Sequence, residues 1–421
     1  MSEWKNVKLG DYCLKIGSGS TPKGGSTVYV ESGTSFIRSQ NVYNLSFDYN
    51  GLTHITEEAA NKLKGVTIFN EDILLNITGD SVARTCIVPN DVLPARVNQH
   101  VAIVRVDRKK MNGRFLNYYL ASPRMQAHML SLAVGKGASR NAMTKQMIEN
   151  FKVPCPPLDT QHRIATILSR YDSLIENYQK QIKLLEEAAQ RLYKEWFIDL
   201  RFPGHEKTKI VDGVPEGWKM ISIDSLVGKL ESGSRPKGGI DTSIKDGVAS
   251  VGAENVIGLG QYNFSSKKLV SYDFYNNAKK GRIENKDILI YKDGAYIGRT
   301  SLFQDNFPHK EAMINEHVFL LHTKKEVNQY FLFFTLYQKV YFEKMQKLNK
   351  NAAQPGLNQN AIKSLKLLMP NEKLIVRFDE IISPMMKVLF DLANQIPHLT
   401  EARDRLLPKL MNGKINVNVQ H

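Results

Sequence analysis

From Ile164 onward, apolar residues recur at alternating steps of four and three: Ile164, Leu168, Tyr171, Ile175, Tyr178, Ile182, Leu185, Ala189, Leu192 and Trp196. Neither Pro nor Gly interrupts the surrounding stretch, residues 158–201. A seam with this spacing marks a helix that packs lengthwise on another helix rather than into a globular core. At 1.5 Å per residue the helix is roughly 50 Å long. A rod of that length with one apolar edge requires a partner.

The partner lies in the same chain. Adding 214 to each ladder position gives Phe378, Ile382, Met385, Leu389, Leu392, Ile396, Leu399, Arg403, Leu406 and Leu410, apolar at every position but Arg403. The second stretch repeats the first seam in register. Pro384, Pro397 and Pro408 fall inside it. An interior proline removes a helical hydrogen bond and clashes with the preceding turn, so the second rod is expected to be bent or segmented.

The repeat continues outside the rods. Trp4 answers to Trp218, and Ser18-Gly19-Ser20-Thr21-Pro22-Lys23-Gly24-Gly25 to Ser232-Gly233-Ser234-Arg235-Pro236-Lys237-Gly238-Gly239, both at 214. Asp72-Ile73-Leu74 and Arg84-Thr85 recur at 215 as Asp287-Ile288-Leu289 and Arg299-Thr300, and Asn98-Gln99-His100-Val101 recurs at 217 as Asn315-Glu316-His317-Val318. The drift is what loop insertions produce. The chain therefore reads as a duplication of one plan: globular unit (1–157), rod (158–201), linker and globular unit (202–371), then rod and tail (372–421).

Charge separates the units from the rods. Residues 1–157 carry 19 Lys and Arg against 12 Asp and Glu, and residues 202–371 carry 24 against 17, so each unit nets +7 while the first rod nets zero. Paired basic modules suit a polyanion, and nucleic acid is the common one, because neutralising its phosphates releases counterions. Cys13, Cys86 and Cys155 are isolated, a pattern expected of a reducing cytoplasm. The opening MSEWKNVKLG does not read as a signal peptide, and the densest apolar run, Tyr330 to Tyr337, is too short to span a bilayer. A cytoplasmic protein without membrane contact is the expectation.

Within the first unit, 35–39, 72–78, 84–88 and 101–106 have the β-branched look of strands. Residues 56–63 predict a short helix capped by Thr56. Residues 114–133 predict helix with a break at Pro123, and 144–150 another short helix. The fold class is α+β.

Chemistry is harder to find. Gly19-Ser20-Thr21-Pro22-Lys23-Gly24-Gly25-Ser26 approaches a phosphate-binding loop, but Gly25 stands where that loop needs Lys. His100 and His317 recur, yet a His beside a strand start is more often structural than catalytic. No catalytic, cofactor-binding or metal-ligating constellation emerges. What recurs instead are groups suited to holding DNA. The glycine-rich loops offer Ser20, Thr21, Lys23, Ser234, Arg235 and Lys237 to phosphates. Arg38 and Gln40 have side chains that pair with base edges, and their counterparts, Gly252 and Glu254, differ in kind. The loops carrying Lys136, Ser139, Arg140 and Asn141, and Gln354, Asn358 and Gln359, differ in the same way. Different groups at matched positions are what two modules reading different sequences would show, although an ordinary surface turn could carry the same residues.

The whole chain resembles the specificity subunit of a type I restriction–modification enzyme. The likeness rests on Gly19-Ser20-Thr21-Pro22, on Asn98-Gln99, on Pro154-Cys155-Pro156-Pro157-Leu158-x-x-Gln161 leading into the first rod, and on Leu406-Leu407-Pro408-Lys409-Leu410-Met411-Asn412-Gly413-Lys414-Ile415. The second unit departs from it with Asn315-Glu316 and with MPNEKLIVRF in place of the Pro-Pro-Leu lead-in. The resemblance implies two target-recognition domains, each reading one half of a bipartite site on double-stranded DNA, and two antiparallel helices that set the spacing. It also implies two modification subunits that bind S-adenosylmethionine, with restriction subunits using ATP and Mg where present, and no cofactor on this chain. A self-sufficient tandem nucleic-acid-binding regulator would share these features, and an enzyme with a cryptic site is a further alternative.

Overall fold

A computed structural model describes residues 4–134, 141–350 and 356–417. The chain packs as two units, Met1–Leu174 with Leu399–His421, and Ile175–His398.

In the first unit, Val101–Val106 is central to a four-stranded antiparallel sheet, flanked by Ile73–Asn76 and Cys13–Ser18, with Thr85–Ile87 at the edge. Its run VAIVRV is buried at every position but Arg105, because both faces are covered. Ala102 and Val104 point to a core with Phe115 and Leu116 of the helix Gly113–Ala121. Val101 and Ile103 point instead to Ile37 and Val97 of a second sheet. In that five-stranded sheet, Ala95–Val97 runs parallel to Thr34–Ile37. A ribbon of Lys5–Lys8 with Lys152–Cys155 ties the start of the unit to the residues before the first long helix. The expected caps form: Thr56 accepts the Ala59 amide at 3.3 Å, and Pro123 opens a new helix, Pro123–Ala133, after a break at Ser122.

The second unit repeats the four-stranded sheet and builds its second sheet from three strands instead of five. Val227–Ser232, Val318–Thr323, Asp287–Tyr291 and Thr300–Phe303 lie in the same order and sense as 13–18, 101–106, 73–76 and 85–87. Val248–Val251 runs parallel to Ala312–Ile314, and Lys219–Ser222 pairs with Lys366–Met369. The apolar run near Tyr330 is a helix, Gln329–Tyr337, buried on nearly all sides. Among the described residues no helix is long and apolar enough to cross a membrane.

The two rods are helices Leu158–Tyr193, continued by a π-helical turn Lys194–Ile198, and Glu372–Met411. Each unit holds a segment of both. In the first unit, Ile164 and Leu168 share a core with Leu407 and Leu410, Arg163 donates to the Val417 carbonyl at 3.3 Å, and Asp172 pairs with Arg403 at 2.7 Å. In the second, Tyr178 donates to Gln395 at 3.1 Å, and the Tyr193 and Phe378 rings lie 6.1 Å apart. Within each unit, rising numbers on one helix meet falling numbers on the other, so the segments are antiparallel. No ladder position on either helix is exposed.

The expected segmentation of the second rod is not found: Glu372–Met411 is one uninterrupted helix of 40 residues. Pro384 and Pro408 are exposed. The carbonyls they leave unpaired can be hydrated, while Phe378, Ile382, Leu389, Leu392 and Leu410 on the opposite face remain buried. Tertiary packing of an apolar face outweighs the local proline penalty.

Candidate nucleic-acid interface

Gly19, after the strand Cys13–Ser18, backs onto the turn at Asn98. A Cβ at Gly19 would overlap the Val97 and Asn98 carbonyl oxygens, so only glycine allows this approach. The Gly19 and Ser20 amides donate to Val101 and Val97, each at 2.9 Å. Asn98 Oδ1 accepts the His100 amide at 3.2 Å, and His100 Nδ1 lies 2.6 Å from Thr78 Oγ1. Above this frame the Thr21 hydroxyl donates to Gln99 Oε1.

The second unit repeats the frame with different groups on it. A Cβ at Gly233 would overlap the Ile314 carbonyl. Asn315 Oδ1 accepts the His317 amide at 2.9 Å, and His317 Nδ1 lies 3.1 Å from Asp293 Oδ2. Where the first unit has Thr21 on Gln99, the second has Arg235 Nε 2.8 Å from Glu316 Oε1. The backbone arrangement is retained, and its neutral pair is replaced by an ion pair.

A second matched feature lies beside it. Asn41 Oδ1 accepts the Arg38 amide at 3.0 Å, as Asn255 Oδ1 accepts the Gly252 amide at 3.1 Å. In the first unit this turn presents Arg38 and Gln40, both donating to the Gly51 carbonyl, at 2.7 and 3.3 Å. In the second it presents Glu254, 2.5 Å from Lys268. Burial pushes the Glu254 carboxyl up, but the Lys268 bond and charge outweigh it and hold the group below the usual carboxylate range.

Gln40, Tyr43, Thr78, Arg84, His100 and Asn141 line an open cleft of about 550 Å³ in the first unit. The Arg84 guanidinium lies 4.5 Å from the centre of the Tyr43 ring. An aromatic face, a cation and two carboxamides around one groove can stack, neutralise and hydrogen-bond a polyanion bearing planar bases.

The structure thus brings Gln40 and Asn141 together and adds Tyr43, Thr78, Arg84 and His100, which residue type alone did not single out. The signal for Arg84 was present in the recurrence of Arg84-Thr85 as Arg299-Thr300, and Arg299 likewise lies over a ring, Tyr296, at 3.9 Å. Ser20, Thr21, Lys23, Arg235 and Lys237 are exposed, and Ser234 is half-buried. Asn358 caps the helix Gln359–Ser364, accepting the Ala361 amide at 2.8 Å, as Thr144, 214 residues earlier, caps Lys145–Glu149. Gln359 donates to the Leu230 carbonyl at 2.9 Å. Lys136, Ser139, Arg140 and Gln354 lie outside the described residues. No group of three or more His, Cys, Asp or Glu among the described residues is placed to hold a metal ion.

A duplicated α+β unit with two long helices and a twice-built polar surface defines a tandem recognition protein. The sequence model of the type I restriction modification DNA specificity domain matches residues 1–187 and 215–401, and the chain belongs to that family, with two copies of the domain. Among its relatives are the MjaIX and MjaVIII specificity subunits of type I restriction enzymes from Methanocaldococcus jannaschii. The first is 24% identical over 434 residues, covering 99% of this chain and 94% of that protein. The second is 23% identical over 428 residues, covering 99% and 93%. The fold is shared with the crystal structure of a type I restriction–modification S subunit from M. genitalium, at a TM-score of 0.60 and 14% identity, over 97% of this chain and 96% of that one.

Proposed function

We propose that this chain is the DNA-specificity subunit of a type I restriction–modification complex. Each unit reads one half of a bipartite duplex site, and the helix pair sets the number of unread base pairs between the halves. One observation carries this reading: the same backbone frame is built twice, with different polar groups mounted on each copy. A protein recognising one symmetrical sequence would have no use for that difference, whereas a reader of two unlike half-sites requires it. Exposed Lys23 and Lys237 supply the phosphate contacts that position the units without selecting sequence. Arg38, Gln40 and the cleft around Asn141 face base edges.

Catalysis belongs to partners. Two modification subunits dock on the helices and hold S-adenosylmethionine, and restriction subunits, where present, use ATP and Mg. The charged outer faces of the first long helix, with Lys180, Lys183, Glu187 and Arg191 exposed, suit such docking. The test is to co-express the chain with its modification subunit and map methylated adenines across a host genome. A two-part motif with a constant gap is expected. Methylation at a continuous motif, or a motif unchanged when this chain is deleted, would overturn the proposal, and failure to co-purify with the modification subunit would favour an independent regulator.

A further inference from the structure

We infer that the groove beside Trp4 in the first unit receives an aromatic side chain from an acidic segment of the modification subunit. The inference rests on the function proposed above and adds to it a docking site at the end of the second long helix.

Trp4, Tyr119, Pro123, Pro154, Pro408 and Met411 line an open groove of about 1050 Å³. The ribbon of Lys5–Lys8 with Lys152–Cys155 forms one wall, and the last turn of Glu372–Met411 forms another. Pro123 and Pro408 are exposed and Trp4 is half-buried, so this apolar surface stays in contact with water.

The second unit shows what closes a groove of this kind. Trp218, the match of Trp4, is 6% exposed. Its ring lies 5.2 Å from that of Phe202 and 6.1 Å from that of Phe197, and both phenylalanines are buried. The offset of 214 matches Phe197 with Met411 and Phe202 with Asn416. Met411 lines the groove of the first unit, as Phe197 packs on Trp218. Asn416 stands where the second unit has Phe202, and it is exposed. The wall is built twice; the aromatic plug is built once.

The rim of the open groove is cationic. Arg124 and Lys152 line it and are exposed. Lys8 lies directly across from Lys152 in the ribbon, and cross-strand partners share a face and repel when their charges are alike. The second unit avoids that repulsion with Ser222 opposite Lys366. Among the described residues Lys8, Arg124 and Lys152 form no ion pair. A phosphate backbone would neutralise these cations but leave the apolar walls wet, whereas an aromatic ring flanked by carboxylates satisfies both. Pro408 and Met411 belong to the second long helix, so the groove continues the helical surface assigned above to the modification subunits.

The experiment uses the full chain co-purified with its modification subunit. If no complex forms, the proposed function fails before this inference is reached. Asn416→Phe should fill the groove from within, as Phe202 does in the second unit. It should raise the dissociation constant for the modification subunit about tenfold or more. Arg124→Glu with Lys152→Glu should do the same without touching the apolar walls, which keeps the test available if the filling variant impairs folding. Neither change should alter the methylated motif. Asn6 also lines the groove, and Asn6→Cys carrying a benzophenone should crosslink to the modification subunit. An unchanged dissociation constant in both variants, or a crosslink found only within this chain or to DNA, would overturn the inference.

Discussion

Arg403 Nη1 lies 2.7 Å from Asp172 Oδ1, with both side chains largely buried. Arg403 is the one polar position in either apolar ladder, and Asp172 sits beside the ladder of the opposite helix. Asp172 also accepts the Tyr118 hydroxyl, so helix pair and globular unit share one buried carboxylate. An ion pair in an apolar seam favours one register, because a slip takes the guanidinium away from the buried Asp172, although Arg403 keeps Asp404 at 2.8 Å.

Arg403→Ala should therefore lower the unfolding free energy by about 3 kcal/mol, since it strands Asp172. Replacing both residues with Leu should cost far less, because neither charge is then left. Urea denaturation checks this; a double variant as unstable as the single one would show that the pair matters for something other than mutual neutralisation.

A second buried pair differs between the units in a way that pH should expose. Asp72 pairs with Arg105 at 2.6 Å, and the matched Asp287 pairs with His322 at 2.8 Å. The hydrogen bond to Asp287 raises the His322 pKa despite burial, with help from the charges of Asp287, Glu284 and Glu326. A raised folded pKa stabilises the fold fully below the unfolded value, about 6.5, and that stabilisation is lost as pH climbs through the folded value. Hydrogen exchange in the second unit should accelerate beyond the intrinsic rate as pH rises above the unfolded value of about 6.5, and His322→Arg should remove the excess. No such excess is expected around Arg105.

The duplicated glycines test the frame itself. Gly19→Ala would drive a methyl group into two backbone carbonyls, at an expected cost of about 2–3 kcal/mol. Gly17, two residues earlier, has nothing within 4 Å of its missing Cβ, so Gly17→Ala should leave stability nearly unchanged. Thermal melts of the two variants give the comparison.

Replacing Lys23 and Lys237 with Ala should weaken binding to every duplex sequence and reduce the slope of log affinity against log salt by about 1.8 in total. Loss confined to one sequence would make these lysines base readers rather than phosphate contacts.

Much of this was legible in the sequence because the chain states its plan twice. The seam positions are buried or half-buried throughout, and offsets of 214–217 found the matched strands, loops and histidines. Three things were not legible. The prolines of the second helix indicated a bend or a break, and the break does not occur, because local propensity carries no information about a buried opposite face. The capping role of Asn358 becomes apparent only when it is aligned with Thr144. The Arg84–Tyr43 pairing joins residues distant in sequence across the sheet edge, where periodicity has nothing to say.

The central claim is that two independent readers share one chain. Exchanging residues 1–157 for the first unit of another family member, and mapping methylated sites in a host that also makes the modification subunit, tests it most directly. The account predicts that one half of the motif changes while the other half and the gap stay as they were. A motif altered in both halves would contradict it.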